Sequence, residues 1–83
     1  MEKAALNEQH LRQVFAKVLG LREECITNAL SYDTVAEWDS IAHMALVAAI
    51  DQAFDIMMET DDVIDMSSFG KAKELLAKYN IVF

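Results

Sequence analysis

Proline is absent from all 83 residues and glycine occurs only at positions 20 and 70, so almost nothing in this backbone interrupts a helix. That freedom acquires direction where apolar residues recur at helical spacing. Between Leu6 and Leu19, the residues Leu11, Val14, Phe15, Val18 and Leu19 fall at i, i+3, i+4, i+7 and i+8, one face of a helix. The spacing predicts a first helix over 7–19, with Asn7 as its N-cap. Leu6 and Leu11 stand at the separation of a hydrophobic staple, and Gly20 supplies a left-handed stop.

Residues 21–39 keep no such period. Asn28, Ser31, Asp33 and Thr34 interrupt Ile26, Leu30, Tyr32, Val35 and Trp38. A connection of this length is unusual in a small helical domain, and its apolar residues predict that it packs over the helices, with Trp38 and Tyr32 as anchors and room for a helical turn. Asp39 or Ser40 then caps a second helix over 40–54. Its core stripe is Leu46, Val47, Ile50 and Phe54, while Ile41, Met44 and Ala48 form a second apolar stripe that one core does not require. Thr60 can cap a short third helix over 61–65. Ser67 or Ser68 can cap a fourth over 68–79, with Phe69, Ala72, Leu75, Leu76 and Tyr79 inward and Asn80 as its stop. The expected fold is all-α, a single domain spanning 1–83, with three main helices, one short third helix and a long loop between helices one and two.

Charge narrows the partners. The chain carries a net −7, but residues 1–30 are balanced and 67–83 are net positive. Residues 31–66 hold nine acids and no Lys or Arg. A single-sign block of this kind excludes nucleic acid and anionic membrane as expected partners and favours proteins that present basic side chains. One cysteine, Cys25, cannot form an internal disulfide, which suits a reducing cytoplasm. The longest uncharged stretch, Ser40 to Ile50, is too short to span a bilayer, and Met1-Glu2-Lys3 lacks the pattern of a signal peptide. The expectation is a cytoplasmic monomer.

No self-sufficient active site emerges. His10, His43 and Cys25 are too few and too scattered for a metal centre, so none is expected. A calcium loop starting at Asp55 puts Met57 at position 3, Thr60 where Gly is needed and Met66 where the bidentate Glu belongs; one starting at Asp51 fails at Ala53 and Ile56. Asp39, Ser40 and His43 lie together in sequence, but adjacent residues at a helix start do not build a triad, so His43 is expected to be an exposed polar residue. Cys25 has no neighbour to activate it, and the five methionines are expected to fill the core. What stands out is Ser40 itself, preceded by Asp39, opening a helix with surplus apolar surface inside the acidic block. A helix N-terminus favours a phosphate group, although on local sequence alone the Asp-Ser pair is better explained as a plain cap.

Trp38-Asp39-Ser40-Ile41, followed by Met44, Leu46, Val47, Ile50, Asp51 and Phe54-Asp55-Ile56, resembles the signature of acyl carrier proteins. The likeness runs over the whole chain, from Leu19-Gly20-Leu21 at the end of helix one, through Asp61-Asp62-Val63 in the short third helix, to Ser67–Tyr79 in the fourth. The resemblance implies that Ser40 carries 4′-phosphopantetheine, attached from coenzyme A by a holo-acyl-carrier synthase or phosphopantetheinyl transferase with Mg²⁺, and that Asp39 presents the serine. It implies that Ile41, Met44, Ala48 and Asp51 meet partner enzymes with basic docking surfaces. It also implies that Leu46, Ile50 and Phe54 form a core able to part around an acyl chain. On this likeness the chain is a carrier of acyl or aminoacyl thioesters and not itself an enzyme. Ile41 stands where the family usually has Leu, and Glu37-Trp38 stand where small residues are usual. Ala42, Ala45 and Gln52 occupy positions where fatty-acid carriers often have acids. These departures point away from housekeeping fatty-acid synthesis and toward polyketide, surface-glycan or amino-acid activation chemistry. The competing expectation is an unmodified acidic helical adaptor that docks a basic protein.

Overall fold

The computed structural model describes residues 2–83. It is all-helical, with four helices and a long connection after the first. Helix α1 spans Glu2–Leu19, five residues longer at its start than the expected 7–19. Lys3, Ala4, Ala5 and Leu6 are all strong helix formers, and nothing in the sequence stops the helix from running back through them. Asn7 therefore lies inside the helix and is not its cap; its amide Nδ2 donates to the carbonyl of Val82 at 3.1 Å, tying α1 to the C-terminal segment. Leu6 is exposed, so the expected staple does not form. The other end follows the sequence closely. Gly20 has φ +69°, and Leu21 N–H returns to the Ala16 carbonyl at 3.0 Å, closing the helix by the left-handed route that Gly permits without strain.

The connection to the next helix packs against the bundle. It contains a 3₁₀ turn at Glu23–Cys25 and buries Ile26, Leu30 and Trp38. Arg12 Nε donates to the Ile26 carbonyl at 3.1 Å, fixing the first part of the loop to α1. Farther along, Ser31 and Ser68 form an isolated antiparallel bridge, with Tyr32 N–H donating to Ser67 O at 2.8 Å and Phe69 N–H to Leu30 O at 3.0 Å. Here Gly70 lets the two segments approach closely: a Cβ would lie 3.2 Å from the Asn28 carbonyl oxygen, so a larger residue would push the loop back by a few tenths of an ångström. Of the two expected anchors, only Trp38 is fully buried; Tyr32 stays partly exposed and rests edge-on against it.

Helix α2 spans Ser40–Phe54, as the spacing predicts. Asp55 takes the left-handed conformation at φ 55°, and the N–H groups of Asp55 and Ile56 both return to the Asp51 carbonyl. Helix α3 spans Thr60–Asp65; Glu59 occupies the cap position and Thr60 is already helical, correcting the assignment of Thr60 as cap. Helix α4 spans Phe69–Ala77, with Ser68 Oγ accepting from Lys71 N–H at 2.9 Å. It ends two residues before the expected Tyr79. Lys78, Tyr79 and Asn80 instead donate three residues back, to Leu75, Leu76 and Ala77, and Asn80 at φ 66° turns the chain away.

One continuous core joins these elements. Phe15 meets Trp38 and Phe69 edge-on at centroid distances of 5.4 and 5.0 Å, and Leu11, Leu46, Ile50, Met66 and Leu76 close around them. Trp38 belongs to the loop, so the long connection is a structural layer of the fold. Its last buried residue also sets where α2 begins.

Candidate functional site

Ser40 is the first residue of α2 and is exposed. Asp39, extended at φ −102° and ψ −172°, caps the helix with its side chain: Oδ1 accepts from Ala42 N–H at 2.9 Å, and its carbonyl accepts from His43 N–H at 2.8 Å. The buried Trp38 immediately upstream fixes this cap in place. The outcome is a serine held at the positive end of a helix dipole with no packing role of its own.

An apolar stripe starts beside it. Ile41 is 81% exposed and Met44 61%, and Ala48 continues the same face at i, i+3 and i+7. Beyond α2, Ile64 on α3 is 72% exposed and Met57 in the preceding connection 84%. The methionines among the described residues, which leave out Met1, therefore divide: Met58 and Met66 are buried as expected of core filler, while Met44 and Met57 are not. Ile64 and Met57 were missed at the level of sequence. The available signal was the adjacency of Val63 and Ile64 in a single-turn helix, which cannot direct both side chains inward.

Other residues expected at the site have different surroundings. Asp51 is half-buried and its Oδ1 accepts from Met58 N–H at 3.1 Å, so its carboxylate holds the α2–α3 connection. Leu46 and Ile50 are fully buried, whereas Phe54 sits half-buried at the far end of α2, 5.1 Å from the His10 ring and 6.4 Å from Phe83.

His43 is the clearest correction. It is half-buried and both ring nitrogens are engaged: Nδ1 accepts from Trp38 Nε1–H at 3.0 Å, and Nε2 lies 2.8 Å from the Val63 carbonyl. Since Nδ1 accepts, Nε2 must carry the proton donated to Val63. The ring stacks on Trp38 at 6.0 Å and meets Tyr32 at 5.3 Å. One imidazole thereby joins the loop, α2 and α3 next to Ser40. Both nitrogens are occupied, which leaves His43 unsuited to take a proton from the serine. The signal was Trp38 five residues upstream, an indole N–H that needs an acceptor once buried.

The acidic block is mostly outward. Asp33, Glu37, Asp39, Asp55, Glu59, Asp61 and Asp65 are exposed. Besides the half-buried Asp51, Asp62 departs from this, buried and engaged by the Lys78 ammonium and by Tyr79 Oη–H at 2.6 Å. The Lys78 contact, followed by the Tyr79 hydrogen bond, holds the Asp62 carboxyl below its ordinary range. The same contact raises Lys78, and the bond to Asp62 raises Tyr79. Tyr79 Oη also accepts from Glu59 N–H at 2.9 Å, so this cluster clamps α3 to the end of α4.

Among the described residues, no three His, Cys, Asp or Glu side chains come close enough to hold a metal ion. No described helix is long and apolar enough to cross a membrane. No known protein-family model and no curated protein matches the sequence.

Proposed function

We propose that this chain is an acyl-carrier-like protein that bears 4′-phosphopantetheine on Ser40 and presents acyl or aminoacyl thioesters to partner enzymes. The observation that carries the reading is the exposed Ser40 at a capped helix start, bordered by exposed Ile41 and Met44. A four-helix chain with a long packed loop before that serine agrees with the architecture the resemblance implies.

The residues fit the group. Ser40 offers a hydroxyl at a helix N-terminus, where first-turn N–H groups have no partner inside the helix and the dipole favours a phosphodiester. Loading would join Ser40 Oγ to the phosphorus nearest the pantetheine of coenzyme A and break the pyrophosphate bond, with adenosine 3′,5′-bisphosphate leaving. The serine proton passes to a base on the transferase, since His43 is committed to Trp38 and Val63. Once bound, the arm supplies a terminal thiol that holds cargo as a thioester. Asp39 fixes the serine's position through the cap, and Ile41, Met44 and Ala48 give partners an apolar surface. The exposed acids raise the encounter rate with basic docking faces while adding little lasting affinity, which suits a carrier that must leave each partner.

Incubation with coenzyme A, Mg²⁺ and a broad-specificity phosphopantetheinyl transferase tests this by intact mass. One phosphopantetheine per chain is expected, and none on Ser40→Ala. No gain on folded wild-type protein overturns the carrier reading in favour of the unmodified adaptor.

A further inference from the structure

His43 holds both of the residues that precede Ser40. Its main-chain N–H donates to the Asp39 carbonyl at 2.8 Å, and its ring Nδ1 accepts from the Trp38 indole at 3.0 Å. The serine therefore lies inside a short loop of chain that one side chain closes. The other ring nitrogen donates to the Val63 carbonyl at 2.8 Å, in the last turn of α3, where carbonyls have no partner within the helix. Only one protonation state allows all of this. A neutral ring with its proton on Nε2 accepts at Nδ1, whereas a protonated ring donates at both nitrogens. Protonation sets two N–H groups against each other and strips the buried indole of its acceptor, while the bond to Val63 gains charge assistance. The ring then has to part from Trp38 and stay with α3. His43 is half-buried, so protons reach it. Around it stand the Tyr32 phenol and Trp38 indole of the loop, the Val63 carbonyl of α3 and the uncharged Met66 and Ser67 of the α3–α4 link. Of the nearby carboxylates, Asp39 on α2 caps Ala42, Asp62 on α3 is held by Lys78 and Tyr79, and Asp61 and Asp65 are exposed.

We infer that His43 is a positioning residue for Ser40 that works only in its neutral form: the Trp38–His43 bond fixes the serine for loading, and protonation of the ring releases it. The inference rests on the carrier reading above and adds a pH control to it. His43 takes no proton from the serine and touches no reacting atom. It acts through Trp38 and the Asp39 cap, so its loss shows in how well Ser40 is aimed and not in whether a partner can dock.

The test loads wild-type protein, His43→Asn and Trp38→Phe with coenzyme A, Mg²⁺ and one transferase at about pH 8 and about pH 5, across the range in which histidine changes charge. Rates are compared as ratios at each pH, which cancels the transferase's own profile. The Asn amide oxygen stands in for Nδ1 and does not titrate; Phe keeps an aromatic ring and lacks the N–H. The rate ratio of wild type to His43→Asn is expected to fall about tenfold from pH 8 to pH 5. At pH 8, Trp38→Phe is expected to lose about tenfold in kcat with KM within about twofold, and at pH 5 to match the wild type. Independently of loading, nitrogen-15 spectra of the wild-type apo protein follow the single indole and the two histidine rings over the same range. The indole N–H is expected to shift together with His43 and not with the exposed His10. These spectra decide the matter if either variant fails to fold. An indole resonance indifferent to the charge on His43, or rate ratios equal at both pH values, overturns the inference and leaves the carrier intact. Absence of any mass gain at either pH overturns both.

Discussion

On the side of the molecule built by α1 and α4, charges answer one another. Glu8 accepts from Arg12 at 2.9 Å and lies 3.4 Å from Lys73, and both cations sit over the Phe69 ring at 5.3 and 5.1 Å. The Arg12 hydrogen bond holds the Glu8 carboxyl below its usual range, aided by Lys73. On the side built by the end of the loop, α2 and α3, seven acids are exposed, and residues 31–66 contain no Lys or Arg to answer them. Like charges left together oppose folding, so the second face gains nothing in stability from them. The contrast separates a face whose charges are answered within the chain from one whose exposed apolar stripe and acids are not; on the proposed function, partner enzymes supply that complement.

The sharpest way to break this comparison is Ser40→Ala, which should abolish loading completely while shifting unfolding free energy by no more than about 0.5 kcal/mol, as expected for an exposed position. A large loss of stability would give Ser40 a structural role. Trp38→Ala probes the supporting layer and should cost about 3–5 kcal/mol by denaturant unfolding; Ile41→Ser and Met44→Ser, on the open face, should stay within about 0.5. Raising the salt from low to high ionic strength should slow transferase encounter roughly tenfold through screening, with stability little changed. An encounter rate indifferent to salt would sink the electrostatic account. Asp39→Ala, which removes the cap to Ala42, should cost about 1 kcal/mol.

The smallest effect is a pH dependence at Asp62. Its folded pKa is lowered, so the unfolded chain binds its proton first as pH falls. The stability it contributes is complete above the ordinary carboxyl value of 3.8 and is lost as pH drops through the lower folded value. Asp62→Asn should therefore lower the melting temperature at neutral pH and flatten its decline in acid. An unchanged acid profile would mean that the Lys78–Asp62–Tyr79 cluster does not clamp α3.

Much of this was legible from local rules. The limits of α2, the Gly20 stop, the Ser68 cap and the left-handed Asn80 follow from caps, breakers and apolar spacing, which act within a few residues. Asn7 misled because a good capping residue does not create a helix end when the preceding residues also favour helix. His43, Asp51 and Asp62 escaped for a different reason. Each is polar in sequence, and each is drawn inward by a partner found only after folding: the Trp38 indole and Val63 carbonyl, the Met58 amide, and the Lys78–Tyr79 pair.

The sequence by itself determined four helical segments, the acid-only block and a serine at the start of the second helix, because periodicity, charge and capping are properties of neighbouring residues. Only the tertiary structure decided which acids remain open to solvent, which apolar side chains beside Ser40 stay uncovered, and that His43 binds the loop to α2 and α3. Those outcomes depend on hydrogen-bond partners and packed surfaces brought together across the chain, and burial makes such partners obligatory.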